Sequence, residues 1–207
     1  MSSSKEVVLV DAGSGNLHSV ENALLSLGES VKRTDQPNDL LGAGRIILPG
    51  VGAFARFMQG LISNGLADAL LLAIQRGTPV LGICVGMQVL FEMSTEMGEF
   101  AGLGVTRGKV IRFPDLPDLK VPHTCWNQVA PVDGNQKLFA GLRPGCYAYF
   151  NHSYFCQPDR AEEICAFTNY GLPFCSAITK DNVYGVQFHP EKSQRVGLRI
   201  LENFLNV

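Results

Sequence analysis

At 207 residues, 46% of them hydrophobic and 17% charged, the chain has globular composition and is long enough for one domain with a large core. Seventeen basic against nineteen acidic residues give a formal net charge of −2 with no basic tract, so nucleic acid and anionic membrane surfaces gain no electrostatic hold on it. The most apolar window, Leu66 to Ile74, contains Asp68 and falls far short of the ~18 residues of a membrane span, and the opening Met1 to Glu6 lacks the apolar core of a signal peptide. Six cysteines without a Cys-x-x-Cys pair point to a reducing, cytoplasmic setting.

The elements follow in order. Val7–Val10 is a β-branched apolar run, followed by the loop Asp11-Ala-Gly-Ser-Gly-Asn16 and a helical pattern from Leu17 to Leu27 that Gly28 stops. A dinucleotide fingerprint is excluded there, because its third glycine would fall on His18. Ser30–Thr34 predicts a strand, Pro37–Leu41 a short helix, and Arg45–Leu48 a strand running into the glycine-rich Pro49-Gly-Val-Gly-Ala-Phe54. Helical patterns over Phe54–Ile62 and Leu66–Arg76 precede another strand and then Gly82-Ile-Cys84-Val-Gly86, from which a helix is expected to run on past Gln88 toward Glu92. Alternating strands and helices imply a doubly wound, mostly parallel α/β sheet of flavodoxin-like type flanked by helices, forming a single domain over 1–207. The second half is β-rich, with strands over Gly108–Phe113, Tyr147–Phe155, Glu163–Thr168, Ser176–Thr179 and Tyr184–Phe188 and a hairpin at Asp181-Asn182, so antiparallel strands should extend the sheet. Pro114–Pro122, with three prolines, is the stiffest loop, and Ser193–Leu205 is an amphipathic helix that should cover a sheet face.

Gly-x-Cys-x-Gly between a strand and a helix is the nucleophile-elbow pattern with cysteine in place of serine. Small residues at 82 and 86 suit a sharp turn that pushes Cys84 out of the packing, and a helix starting at Val85 would favour its thiolate. A buried structural thiol is the ordinary alternative, but it gives the flanking glycines no purpose. A cysteine nucleophile needs a base and an orienting partner for that base. His189 ends a strand, and Glu191 lies two residues on, where strand geometry would put both side chains on one face. For an oxyanion, the loop after the third strand offers the backbone N–H groups of Val51 and Gly52, with that of Val85 as a further donor. The carboxyl ends of parallel strands share one edge, so the Gly13–Asn16, Pro49–Phe54 and Cys84 loops should meet there. Cys146, Cys156, Cys165 and Cys175 read as small buried hydrophobes. No histidine forms a metal-binding motif, so no metal is implied.

With these segments in place, the whole chain resembles the class I (triad) glutamine amidotransferases. Asp11 to Leu17, Phe91 to Glu96, Val121-Pro-His-x-x-Trp-Asn127, His152-Ser-Tyr154 and His189-Pro-Glu-Lys-Ser193 resemble, within that family, the glutaminase subunits of imidazole glycerol phosphate synthases. The resemblance implies that Cys84 attacks the side-chain amide of glutamine, that His189 shuttles protons and that Glu191 orients it, without a cofactor. It further implies substrate contacts at Gln88, Glu96, Ser153 and Tyr154, and a (β/α)8-barrel cyclase partner met at Asn16, Trp126, Tyr149 and Lys192 and using the ammonia in histidine biosynthesis. Free ammonia protonates in water, so the glutaminase mouth has to be sealed against the acceptor site, and apolar surface such as Trp126 and Tyr149 suits a seal. Cys125, where the family usually has glycine, and Asn151, where an apolar residue is usual, depart from the pattern near the expected interface. An amidotransferase subunit of anthranilate synthase type is the nearest alternative, disfavoured by the Gly-Ser-Gly-Asn loop and His-Pro-Glu-Lys-Ser; a non-catalytic regulatory subunit of the same fold is another, disfavoured by the intact Cys, His and Glu.

Overall fold

The computed structural model describes residues 6–117, 119–132 and 137–207. The expectation for the opening residues therefore lies outside the described residues over 1–5, as does position 118 of the proline-rich loop. The β-branched runs form β1 (Val7–Val10), β2 (Val31–Thr34), β3 (Arg45–Gly50) and β4 (Val80–Cys84), with α1 (Leu17–Ser26), α2 (Pro37–Leu41), α3 (Phe54–Ser63) and α4 (Leu66–Gln75) between them. β1 and β4 are buried along their whole length, as strands covered on both faces should be. Gly28 and Gly77 end α1 and α4 at φ 84° and 85°, a conformation that glycine adopts without strain. At the second of these, the N–H of Gly77 donates to Ile74 and that of Thr78 to Ala73, closing a Schellman motif.

The strand after Cys84 departs from expectation. The helix from Val85 is a single turn, α5 (Val85–Gln88), and Phe91–Ser94 is a strand, β5. The carbonyls of Val89, Leu90, Phe91 and Glu92 accept from Leu103, Thr106, Gly104 and Gly102, which holds this stretch as sheet backbone. Beyond β5 the chain forms β6 (Phe100–Ala101), β7 (Thr106–Arg112), β8 (His123–Pro131), β9 (Cys146–His152), β10 (Tyr154–Pro158), β11 (Ile164–Asn169), β12 (Pro173–Lys180), β13 (Val183–Val186) and α6 (Gln194–Leu205). The single strand expected over Tyr147–Phe155 is thus two, parted at Ser153, because the first half pairs with β8 while the second pairs with β7 and β12. β8 itself was not anticipated: its polar, mixed residues hide a strand whose outer face is open.

The main strand order is β2-β1-β3-β4-β13-β12-β10-β7-β5-β6, with β11 joining β12 to β8 and β8 joining β9. β2, β1, β3, β4 and β13 run parallel, and the Asp181-Asn182 hairpin reverses the chain from β12 into β13, so the antiparallel extension begins at the middle of the sheet. β3, β4 and β13 are direct neighbours, which places the loops after Gly50, Cys84 and Val186 side by side at one edge. α6 packs back over the sheet through Ile200, Leu201 and Phe204, the last with its ring 5.9 Å from Tyr184. Among the described residues, no single helix is long and apolar enough to cross a membrane.

Candidate active site

Cys84 sits at φ 55°, ψ −112°, a backbone conformation unusual for any residue with a side chain and costing on the order of 1–3 kcal/mol. Its surroundings enforce that turn. A Cβ on Gly86 would lie 1.8 Å from the Leu48 carbonyl oxygen, one on Gly82 would lie 2.5 Å from the Gly86 oxygen, and one on Gly50 would lie 2.6 Å from the Gly86 nitrogen. Three glycines therefore let β3, β4 and α5 touch backbone to backbone. Only one helical turn follows the cysteine, so a long helix dipole is not what acts on the sulfur.

His189 supplies what the helix does not. Its side chain is 3% exposed and, through Nδ1 at 2.9 Å, hydrogen-bonded to Oε1 of Glu191, whose side chain is 1% exposed, and it lines the same cleft as Cys84. Burial disfavours the charged ring, but its interactions with Cys84 and with the hydrogen-bonded Glu191 carboxylate outweigh it, raising the imidazole from 6.5 to about 10. The pairing of His189 and Glu191 is not made on a strand as expected: β13 ends at Val186, and Pro190–Lys192 form a 3-10 turn that folds the carboxylate back under the ring. Asn16 Nδ2 donates to the same Glu191 oxygen at 3.2 Å, so the Gly13–Asn16 loop backs the carboxylate.

Cys84 and His189 line a cleft of about 280 Å³ together with Val51, Gly52, Val85, Gln88, Glu96, Ser153, Tyr154, Asn151, His152, Pro122 and Lys192. The three residues expected as oxyanion donors and the four expected to contact substrate thus share one cavity. Gly52 holds φ 90°, which leaves the loop free of a Cβ at its turn. Glu96 Oε2 accepts from the Phe54 N–H at 2.6 Å, tying one wall of the cleft to the start of α3. Of the expected interface residues, Trp126 is 43% exposed, with its ring 6.1 Å from that of Tyr149, and Lys192 Nζ lies 5.7 Å from the Tyr149 ring centroid. Asn16, by contrast, is half-buried behind Glu191.

The class-I glutamine amidotransferase family model matches residues 8–207. The chain belongs to that family. It is 44% identical over 203 residues to the "Imidazole glycerol phosphate synthase subunit HisH" of Syntrophotalea carbinolica, covering 96% of this chain and 98% of that one. The protein of the same name from Moorella thermoacetica is 47% identical over 201 residues, covering 97% and 94%. Among solved structures, a glutamine amidotransferase crystal structure superposes with a TM-score of 0.75 at 20% identity, covering 96% of this chain and 97% of that one. PurLQS from Thermotoga maritima also gives 0.75, at 16% identity and 98% of both chains. These structures share the fold.

Three features of this amidotransferase's site escaped sequence reasoning. Ser193 is 1% exposed: its Oγ donates to the His189 carbonyl at 2.6 Å and accepts from the Tyr149 N–H at 2.9 Å, while the His189 N–H donates to the Tyr149 carbonyl at 2.9 Å. This closed ring of hydrogen bonds fixes the backbone under the imidazole. Gln187 is fully buried beside Cys84. His123 and His152 form a buried pair, with Nδ1 of the first 3.0 Å from Nε2 of the second and His152 Nδ1 donating to the Tyr154 carbonyl at 2.8 Å. Burial lowers His123 to about 4 and His152 to about 3, so both rings are neutral near pH 7. No sequence signal announced the pair, because the strand that carries His123, β8, was not legible as one. Burial also pushes the Cys165 thiol up to about 12 and raises Cys125, Cys146, Cys156 and Cys175.

Proposed function

We propose that this amidotransferase hydrolyses glutamine to glutamate and ammonia as the glutaminase subunit of an imidazole glycerol phosphate synthase, serving histidine biosynthesis. The observation that carries the chemistry is His189, held by Glu191 at 2.9 Å, on the wall of the cleft that Cys84 also lines. The relatives named as HisH subunits carry the pathway.

In this reading the Cys84 sulfur attacks the carboxamide carbon of glutamine, the negative charge on its oxygen is met by backbone N–H groups of Val51, Gly52 and Val85, and His189 protonates the departing ammonia. Water, activated by the same imidazole, then cleaves the glutamyl thioester and releases glutamate with Cys84 restored. Glu191 holds the ring and balances its charge. Gln88, Glu96, Ser153 and Tyr154 bind the substrate: Glu96 is the anionic group in the cleft and suits the α-ammonium, and Gln88 retains its Oε1 as an acceptor, because its Nε2 already donates to Tyr154 and Gln187. A (β/α)8-barrel cyclase subunit completes a heterodimer with lyase activity over Trp126, Tyr149 and Lys192, receiving the ammonia. Asn16 acts from behind that surface through Glu191. Residues 1–207 act as one glutaminase domain, and the six thiols suit a cytoplasmic setting.

Glutamate release from glutamine, measured with and without a cognate cyclase subunit carrying its nucleotide ligand and with Cys84→Ala as blank, tests the proposal. Strong stimulation absent from the blank is expected. Hydrolysis indifferent to the cyclase would remove the pathway assignment, and no Cys84-dependent hydrolysis with a competent partner would remove the chemistry.

A further inference from the structure

A glutamine side chain can present either a donor or an acceptor to a neighbour, and which one it presents is decided by what lies at its other end. Here the far end is a backbone carbonyl, which can only accept. The Tyr154 oxygen takes His152 Nδ1–H at 2.8 Å and Gln88 Nε2–H at 3.0 Å, which fills both of its lone pairs. The second hydrogen of Gln88 Nε2 goes to Gln187 Oε1 at 3.1 Å, and Gln187 Nε2 then faces the Cys84 sulfur at 3.6 Å. Turning Gln187 over would set N–H against N–H at Gln88 and oxygen against sulfur at Cys84. Turning Gln88 over would set oxygen against the Tyr154 oxygen. Gln88 is 3% exposed and Gln187 0%, so bulk water does not offer the displaced groups partners.

We propose that Gln187 is a fixed hydrogen-bond donor to the Cys84 sulfur, oriented through Gln88 by the Tyr154 carbonyl, and that it holds the sulfur as a thiolate beside His189. A donor aimed at sulfur binds the anion about twice as strongly as the neutral thiol, because the bond to the charged form is charge-assisted. It therefore shifts the thiol equilibrium toward the form that attacks. Gln187 and His189 stand two residues apart on the segment leaving β13, and the Gln187 N–H is itself anchored on the Ser176 carbonyl at 2.9 Å, so one short stretch of chain delivers both donor and base to one sulfur. Among the described residues, the titratable groups that share the cleft with the sulfur are Glu96, His152, Tyr154, His189 and Lys192, and the Cys156 thiol on β10, which burial keeps protonated, lies behind it. Gln187 is neutral, and its contribution survives changes of pH that discharge the imidazole.

The inference rests on the proposed nucleophilic role of Cys84, and alkylation by iodoacetamide, read by mass spectrometry of the Cys84 peptide, separates the two. In the wild type, Cys84 reacts ahead of the other five thiols; if it does not, the glutaminase chemistry fails along with this inference. In folded Gln187→Met, nearly the same size but without the donor, the pH of half-maximal alkylation moves up by about one unit. Gln187→Glu, which sets a second acceptor against the sulfur, moves it further. A Gln187→Met profile that superimposes on the wild type, with Cys84 still reacting first, overturns the donor role and leaves the glutaminase reading intact. If neither variant folds, the wild-type protein decides the matter by NMR. The Gln187 side-chain amide proton shifts with the same midpoint as Cys84 alkylation, and an amide that stays still through that titration overturns the proposal.

Discussion

The two sides of the cleft are built by different physics. On the Cys84 side, position comes from exclusion: Gly50, Gly82 and Gly86 lie where any Cβ would run into backbone, and the cysteine takes φ 55° because β3, β4 and α5 leave it no other path. On the His189 side, position comes from hydrogen bonds: the ring is held by Glu191, its backbone by the Ser193 and Tyr149 ring of bonds, and the carboxylate by Asn16. The first side cannot shift without a clash, while the second can be loosened one bond at a time. Added bulk at the glycines on the cysteine side should therefore register mainly as stability, and lost hydrogen bonds on the histidine side mainly as rate.

The largest expected effect is at the reacting atom. Cys84→Ala should lower glutamate release on the order of 10⁴-fold or more, measured with the cyclase partner present, while leaving cooperative unfolding in place. Next is Gly86→Ala, whose Cβ would sit 1.8 Å from the Leu48 oxygen; urea denaturation at pH 7 should show a loss of about 3 kcal/mol or more. A loss below about 1 kcal/mol would show that the elbow is not held by exclusion.

The histidines separate the regions by the sign of their pH dependence. His123 and His152 fold with values of about 4 and about 3, below the ordinary 6.5, so the unfolded chain binds protons that the native state refuses. Their stabilisation is present above pH 6.5 and is lost as pH falls, by roughly 2 kcal/mol for each at pH 5, and His123→Phe should lose about that much less between pH 7 and pH 5. His189 has the opposite sign. Its value is raised to about 10, so its stabilisation is fully present below pH 6.5 and fades as pH rises through about 10, an alkaline loss that His189→Asn should abolish. The smallest stability effect is Ser193→Ala, about 1 to 2 kcal/mol by denaturation. It should nevertheless slow glutamate release roughly tenfold, because the base is no longer held in line.

The sequence was most legible where position comes from sterics. Glycines at 82 and 86 around a cysteine, apolar β-branched runs and stop glycines at 28 and 77 are local signals, and strands, turn and caps were found where those signals stand. The parallel half followed from alternation alone. What sequence reasoning missed depends on long-range pairing. β5 stands where a helix was expected because residues 102–106 and β7 supply partners for its backbone, and no pattern within 85–92 announces those partners. β8 was invisible because one of its faces is open and polar, and Tyr147–Phe155 reads as one run until its halves find different partners. The roles open to Gln187 and Ser193 depend on hydrogen bonds to residues far along the chain, which spacing does not encode.

The proposed reaction turns on one sulfur attacking with one imidazole as its base, and the most direct test is to look for glutamine's acyl group on that sulfur. Acid-quenched samples of the wild type turning over glutamine with the cyclase partner should yield a glutamyl thioester on the Cys84 peptide and on no other cysteine, and the same samples of Cys84→Ala should yield none. Sustained glutamate release with no adduct on Cys84, or an adduct on any of the other five thiols, would contradict the account.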